Sequence, residues 1–191
     1  MMAHLKTAIA LRCRRHGAAF STCVLLLVIS AGLVGLIGLG AAGFRLNLTP
    51  SEPIGLWRIL PQDRPIAIGD LVFVCPPDID RMREAYERGY LHDGPCAGGF
   101  APLIKRIAAT SGQGIEVGDL VRIDGRILAK SRLMATDGQG RPILPYRGGV
   151  IPTGYVYLHS DFAASFDSRY FGPVPMNGIL GFAQEVWTYA P

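Results

Sequence analysis

The chain has 191 residues, enough for one domain of ordinary size and a further segment. Its composition is 49% hydrophobic with 24 Gly and 14 Pro, which is typical of a turn-rich β domain joined to a more apolar segment. The formal net charge of +4 comes entirely from four early residues, Lys6, Arg12, Arg14 and Arg15, so residues 45–191 hold 15 basic and 15 acidic side chains. This balance argues against a nucleic-acid partner.

An uncharged apolar run extends from Ala18 to Phe44 and predicts a transmembrane helix. As a helix it would extend about 40 Å, more than the roughly 30 Å of a bilayer's hydrocarbon core. A cleaved signal peptide is the alternative, because small residues at positions 40–42 would suit a processing site. The run is well beyond the roughly 7 to 15 apolar residues of a signal-peptide core, which favours a retained anchor.

The charges that flank this run predict its orientation. All four early charges are basic and precede it, and the first acidic residue is Glu52. By the positive-inside rule, the N-terminus would be cytoplasmic and the chain after the anchor exported. We therefore expect a single-pass protein with two parts, residues 1–44 as cytoplasmic N-terminus and anchor, and residues 45–191 as an exported domain.

A serine between two prolines follows the anchor, in Pro50-Ser51-Glu52-Pro53. Proline fixes φ and lacks an N–H group, so Ser51 is expected on a rigid loop rather than in a regular helix. Most serines in such a setting are turn residues. The membrane anchor upstream and a lysine in apolar sequence downstream favour a catalytic interpretation instead.

Alternating apolar residues and turn residues predict a mostly β domain beyond this loop. Asp124-Gly125 between two apolar runs predicts a hairpin turn. Residues 78–89 have acidic side chains first and basic ones later, which predicts a short helix. Residues 137–142 are typical of an exposed loop. The predicted strands cover residues 56–60, 71–75, 103–109, 120–123, 127–129, 156–159 and 179–189.

The four cysteines divide in the same way as the charges. Cys13 and Cys23 lie before and within the apolar run, where small buried or idle thiols are expected. Cys75 and Cys96 fall in the exported part and would pair in an oxidising compartment, stabilising the fold by about 3 kcal/mol. Metal ligation is the rival interpretation, but no second cysteine pair and no His cluster has zinc-site spacing. We therefore expect no metal and no cofactor.

Lys105 lies in the apolar stretch Leu103-Ile104-Lys105-Arg106-Ile107. A serine hydroxyl is a poor nucleophile until a neighbouring base takes its proton. A lysine can be that base only when desolvation lowers its pKa far below about 10.4. Period-2 alternation places Lys105 and Arg106 on opposite faces of a strand, and the pattern alone does not decide which of them points inward.

Four stretches in this order, after an anchor, resemble the membrane-anchored Ser/Lys signal peptidases, and within them the TraF-type peptidases of conjugative transfer systems. The Ser-x-Pro-x-Gly form of the serine loop and the Cys75/Cys96 segment look more like the TraF type. Together the stretches extend over nearly all of residues 45–191. They are residues 50–58, residues 69–73, residues 102–107, and residues 161–174 with Asp-Ser-Arg-Tyr-Phe-Gly-Pro-Val at their end.

The resemblance implies a signal-peptidase-like antiparallel β catalytic domain with Ser51 as nucleophile and Lys105 as general base. The backbone N–H of Ser51 and the hydroxyl of Thr49 match the positions that stabilise an oxyanion. Ser165 falls where a serine orients the lysine. Asp167 and Arg169 match charged residues that brace the site, although a buried ion pair that merely holds a loop is an equal alternative.

The sequence departs from the family pattern at two Gly-Asp pairs. They read Gly112-Gln113 after the lysine segment and Ser160-Asp161 at the start of the last segment. Neither change touches the expected dyad of Ser51 and Lys105, but both bear on the hydrogen bonding around the lysine.

The expected function is endopeptidase cleavage of exported precursors at the outer face of a bacterial inner membrane, with the catalytic domain periplasmic. The resemblance favours pro-pilin maturation for conjugation, with membrane lipid and type IV secretion components as partners. A housekeeping type I signal peptidase is the nearest enzyme alternative. A non-enzymatic, membrane-anchored assembly factor is the alternative from another class, and a soluble self-cleaving repressor is disfavoured by the anchor.

Overall fold

The computed structural model describes residues 24–189, and these residues divide into two compact units after Gly43. The assignment of residues 1–44 and 45–191 as separate domains stays a prediction. The four early basic residues, Cys13 and Cys23 lie outside the described residues.

The first unit contains helix α1, Val24–Ala41, which is long and apolar enough to cross a membrane by its length and composition. Its large apolar side chains are exposed along the whole helix, as Leu27 and Val34 illustrate at 69% each. Such a surface is consistent with a single-pass membrane protein.

The second unit is mostly β structure, as the sequence predicts. Its short helices are α2 (Asp80–Glu87) and α3 (Ser168–Phe171). Its strands are β1 (Phe44–Asn47), β2 (Ile54–Leu60), β3 (Leu71–Val74), β4 (Leu103–Thr110), β5 (Gly114–Val117), β6 (Val121–Ile123), β7 (Arg126–Ile127), β8 (Gly149–Val150), β9 (Tyr155–His159), β10 (Val174–Pro175) and β11 (Ile179–Tyr189).

Seven strands form one antiparallel sheet in the order β1-β2-β11-β3-β4-β9-β10. Strand β11 therefore lies between β2 and β3, which are neighbours in sequence. Where β2 leaves the serine loop, Gly55 has φ +139, and an added Cβ would lie 2.3 Å from the carbonyl oxygen of Trp187 on β11. Only glycine allows the two backbones to approach this closely, and this contact fixes the end of the serine loop against the sheet.

A smaller antiparallel sheet has the order β7-β6-β5-β8. The predicted hairpin at Asp124-Gly125 is confirmed, because it joins β6 to β7 with φ of 49 and 75 at its two residues. Positive φ at both central positions is the geometry of a type I′ turn, whose twist matches that of the flanking strands.

The largest core cluster packs residues of the central strands against helix α2, which buries Met82 and Ala85. This helix confirms the one predicted for residues 78–89. It lies within the segment closed by Cys75 and Cys96, which form the expected disulfide. Because the closed segment is anchored at both ends and packed through α2, it is a fixed part of the second unit.

Candidate active site

The loop that carries Ser51 is held by the side chain of Asn47, the last residue of β1. The amide nitrogen of Asn47 donates to the carbonyl oxygens of Thr49, Glu52 and Pro53 at 2.9, 2.9 and 3.0 Å. Its amide oxygen accepts from the N–H and the hydroxyl of Thr49 at 3.1 and 2.8 Å. Two N–H hydrogens are thus shared among three carbonyls, so one side chain organises the backbone on both sides of the serine.

A second contact to Ser51 comes from Ser160, which lies 109 positions later in the sequence. The hydroxyl of Ser160 donates to the backbone carbonyl of Ser51 and accepts from the N–H of Phe162 at 3.2 Å. The N–H of Ser160 donates to the carboxylate of Asp167 at 3.1 Å. Ser160 is only 1% exposed, so these contacts are shielded from water and tie the serine loop to the segment that precedes α3.

The structure places Lys105, rather than Arg106, on the inward face of β4. Lys105 is 2% exposed and shares its face with the buried Ile107. Arg106 is exposed and donates to the carbonyl of Gly69 at 2.7 Å. The pairing of Lys105 with Val72 of β3 fixes the register, since a shift by one residue would exchange the two side chains.

Burial lowers the pKa of Lys105 from 10.5 to about 8. The negative charges of Asp167 and Glu52 oppose this shift, and the positive charge of Arg169 adds to it. A large fraction of the lysine is therefore neutral near pH 8, which is the form that can accept a proton.

Ser51 and Lys105 line one cleft of about 690 Å³, together with Thr49 and Ser165. The hydroxyl oxygens of Thr49 and Ser51 are 3.5 Å apart. The hydroxyl hydrogen of Thr49 is directed to Asn47, so donation to an oxyanion would require the hydroxyl to rotate. Ser165 is 3% exposed, and its hydroxyl has no hydrogen-bond partner among the described residues.

Asp167 and Arg169 lie behind the cleft and form a fully buried ion pair, with Arg169 nitrogens 2.8 and 2.9 Å from the two carboxylate oxygens. Burial would raise the pKa of Asp167, but His159 and Arg169 beside its carboxylate lower it overall. His159 Nδ1 is 3.4 Å from the same carboxylate, too long for a strong hydrogen bond, so Arg169 is the main partner. Arg169 also donates to the carbonyl of Ser165 at 3.0 Å, which braces one wall of the cleft.

Two residues that organise the serine loop were not identified from the sequence. Asn47 had a local signal, because an asparagine two residues before a threonine can bond to the backbone that follows it. Ser160 stood out only as a departure from the family pattern, and its contact with Ser51 had no local signal because the two residues are 109 positions apart.

Among residues 24–189, no group of three or more His, Cys, Asp or Glu side chains is arranged to hold a metal ion.

The sequence profile described as signal peptidase, peptidase S26, matches residues 17–188. The chain therefore belongs to the S26 signal peptidase family, whose match extends over the serine loop, the lysine strand and the segment around α3.

Within this family, the chain is a TraF-type member. It is 62% identical over 149 residues to the "Probable conjugal transfer protein TraF" of Sinorhizobium fredii, covering 78% of this chain and 79% of that protein. It is 37% identical over 153 residues to a "Plasmid transfer protein TraF" of Escherichia coli, covering 78% and 85%. A signal peptidase I structure from Enterococcus faecalis V583 aligns with 62% of this chain and 97% of its own, at 18% identity and a TM-score of 0.39.

Proposed function

We propose that this protein is a membrane-anchored serine endopeptidase in which Ser51 is the nucleophile and Lys105 the general base. The observation that carries the proposal is a buried lysine with a pKa of about 8 in the same cleft as a serine on a braced loop. Side chains with strongly shifted pKa values in a cleft are typical of functional sites. A nucleophile and a general base in one cleft indicate covalent catalysis by acyl transfer.

In the proposed reaction, Ser51 Oγ bonds to the carbonyl carbon of the scissile peptide while its proton passes to Lys105 Nζ. The N–H of Ser51 and the rotated hydroxyl of Thr49 donate to the oxyanion. The C–N bond then breaks, and Lys105 gives its proton to the leaving amine. A water molecule attacks the acyl-serine, again through Lys105, and releases the new carboxylate with Ser51 restored.

Within this mechanism Ser165, Asp167 and Arg169 support the base. Ser165 has an unpartnered hydroxyl in the same cleft as Lys105, which suits a role in orienting the amine. Asp167 and Arg169 hold the backbone that carries Ser165 and do not line the cleft.

The proposed substrates are exported precursors, with a pro-pilin of a conjugation system as the favoured class. The support is the family membership together with relatives named for conjugal and plasmid transfer. Components of a type IV secretion apparatus are the proposed partners, and the proposed site of action is the periplasmic face of the bacterial inner membrane.

Co-expression of the full chain with a pilin precursor tests the proposed function. We expect the mass of the precursor to fall by that of a removed segment, and Ser51→Ala to leave the precursor intact. A precursor of unchanged mass beside a folded, membrane-inserted wild-type protein would favour a non-enzymatic assembly factor instead.

We also expect the N-terminus to be cytoplasmic and Arg45 onward to be exported, because all charges before the span are basic. An alkaline phosphatase fusion after Pro191 should be active, since that reporter folds only after export. Activity of a fused β-galactosidase at the same position, with an inactive phosphatase, would contradict this orientation.

A further inference from the structure

Part of the catalytic cleft is built by a segment to which the mechanism assigns no role. Residues 89–95 belong to the segment closed by the Cys75–Cys96 disulfide and line the cleft. None of them has a role in the proposed reaction. The remaining lining comes from β1 and the serine loop (residues 45–51), Phe73, residues 101–105, Phe162 and residues 164–166. The disulfide-closed segment thus contributes surface to the cleft without contributing to bond cleavage.

Tyr90 is the aromatic residue of this wall. Its ring packs against that of Phe166, which also lines the cleft, with centroids 5.2 Å apart. Phe166 follows Ser165 directly in sequence. The two rings therefore form an apolar contact in the cleft wall, next in sequence to the proposed lysine-orienting serine.

Tyr90 is held in place by two residues that do not line the cleft, Asp137 and Arg141. Its hydroxyl donates to Asp137 at 2.7 Å, and the Arg141 guanidinium lies 5.7 Å from its ring centroid while Arg141 Nε donates to Asp137 at 2.6 Å. Arg141 also donates to the carbonyl of Arg88 at 2.9 Å, and Arg88 donates to that of Pro142 at 2.8 Å. A ring that is fixed before a ligand arrives loses little conformational entropy when it is contacted.

The open edge of β4 indicates what occupies the cleft. Leu103–Lys105 pair with β3 on one side, whereas the described pairing with β9 begins only at Arg106. Among the described residues, no strand pairs with the other side of this segment, so an extended polypeptide can add to it. Such a chain would place alternate side chains against the walls of the cleft.

We infer that the disulfide-closed segment is a specificity wall on which Tyr90 contacts an apolar side chain of the precursor near the scissile bond. This inference rests on the proposed peptidase function and adds a residue that selects the substrate. An aromatic ring that buries an apolar side chain favours it over a polar one of similar size, because the polar group loses its hydration without a partner.

Cleavage of a proteome-derived peptide library by the full chain in detergent tests this inference, with cut sites read by mass spectrometry. We expect the wild type to prefer apolar over polar side chains at a position near the cut, and Tyr90→Ala to reduce that preference about tenfold. Turnover of peptides with a polar residue there should stay within about threefold of wild type. A merely structural role would lower all cleavage alike and leave the preference unchanged.

Three variants make the result specific to the ring. Tyr90→Phe keeps the ring and should keep most of the preference. Asp137→Ala removes one of the two side chains that hold Tyr90 in place and should weaken the preference by a smaller factor. Tyr86→Ala is the matched control, because Tyr86 lies on the same segment and also donates to an aspartate, Asp93, but does not line the cleft.

A Tyr90→Ala profile that superimposes on the wild-type profile, or an equal change in Tyr86→Ala, would overturn the specificity wall while leaving the peptidase function intact. Identical cut sites for the wild type and Ser51→Ala would overturn the peptidase function, and the inference with it.

Discussion

Lys105→Arg should reduce precursor cleavage by about 10³-fold or more, even though both side chains are basic. A guanidinium stays protonated at any pH the protein tolerates and cannot accept the proton of Ser51. The measurement is the rate of precursor cleavage by folded, membrane-inserted protein, with the Tm compared to confirm that the variant folds. Substantial turnover by Lys105→Arg would sink the proposed mechanism.

The other dyad variants separate a catalytic lysine from a general need for positive charge. Ser51→Ala and Lys105→Ala should each be nearly as inactive as the double variant, because members of a nucleophile–base unit are strongly non-additive. Arg106→Ala is the matched control, since this neighbour on β4 is exposed and faces away from Lys105. It should retain most of its turnover.

The pH profile of the same reaction should show an acid limb centred near pH 8. Burial lowers the pKa of Lys105 to about 8, so activity falls as the amine becomes charged below this pH. Glu52 raises the pKa of Lys105 by its negative charge, so Glu52→Gln should move the limb to lower pH. A limb near the pKa of a free lysine, or a shift in the opposite direction, would contradict the assigned environment.

Arg169→Met should destabilise the domain by roughly 3 to 5 kcal/mol, because it leaves the carboxylate of Asp167 buried without its main counterion. Both side chains of the pair are fully buried. Thermal or denaturant unfolding of the full chain in detergent measures the loss. The cleavage rate should fall as well, since Arg169 holds the carbonyl of Ser165 at the cleft.

An Arg–Asp pair whose arginine is largely exposed provides the control for this substitution in the same domain. Arg64 contacts both carboxylate oxygens of Asp70, at 2.6 and 2.8 Å, but 52% of its side chain is exposed. Arg64→Met should therefore cost no more than about 1 kcal/mol. If the two variants lose the same free energy of unfolding, burial of the Arg169–Asp167 pair is not the reason that Arg169 stabilises the domain.

The sequence predicted those features whose cause is local. The Asp124-Gly125 turn followed from residues that tolerate positive φ, and helix α2 followed from its charge order and apolar face. The long strand β11 was predicted with its observed bounds. The S26 family membership was confirmed, although the pattern around Lys105 did not decide which face the lysine occupies.

Features that depend on distant partners were not predicted. Strands β1, β8 and β10 have two to four residues, too short for a period-2 pattern to register. Residues 137–142 were expected to be only an exposed loop, yet the carboxylate of Asp137 is buried against Tyr90 and Arg141. The bond from Ser160 to Ser51 joins residues that only the folded sheet brings together.

The central position of β11 also determines when this domain can fold. Strands β2 and β3 are close in sequence, but each pairs with β11, which follows them by more than a hundred residues. Contacts of this separation form slowly, since the entropy of closing the chain is lost before the contacts form. In the proposed orientation, the serine loop and the lysine strand leave the membrane long before the sheet that positions them can close. The proposed protease is therefore inactive until nearly all of the second unit has been exported.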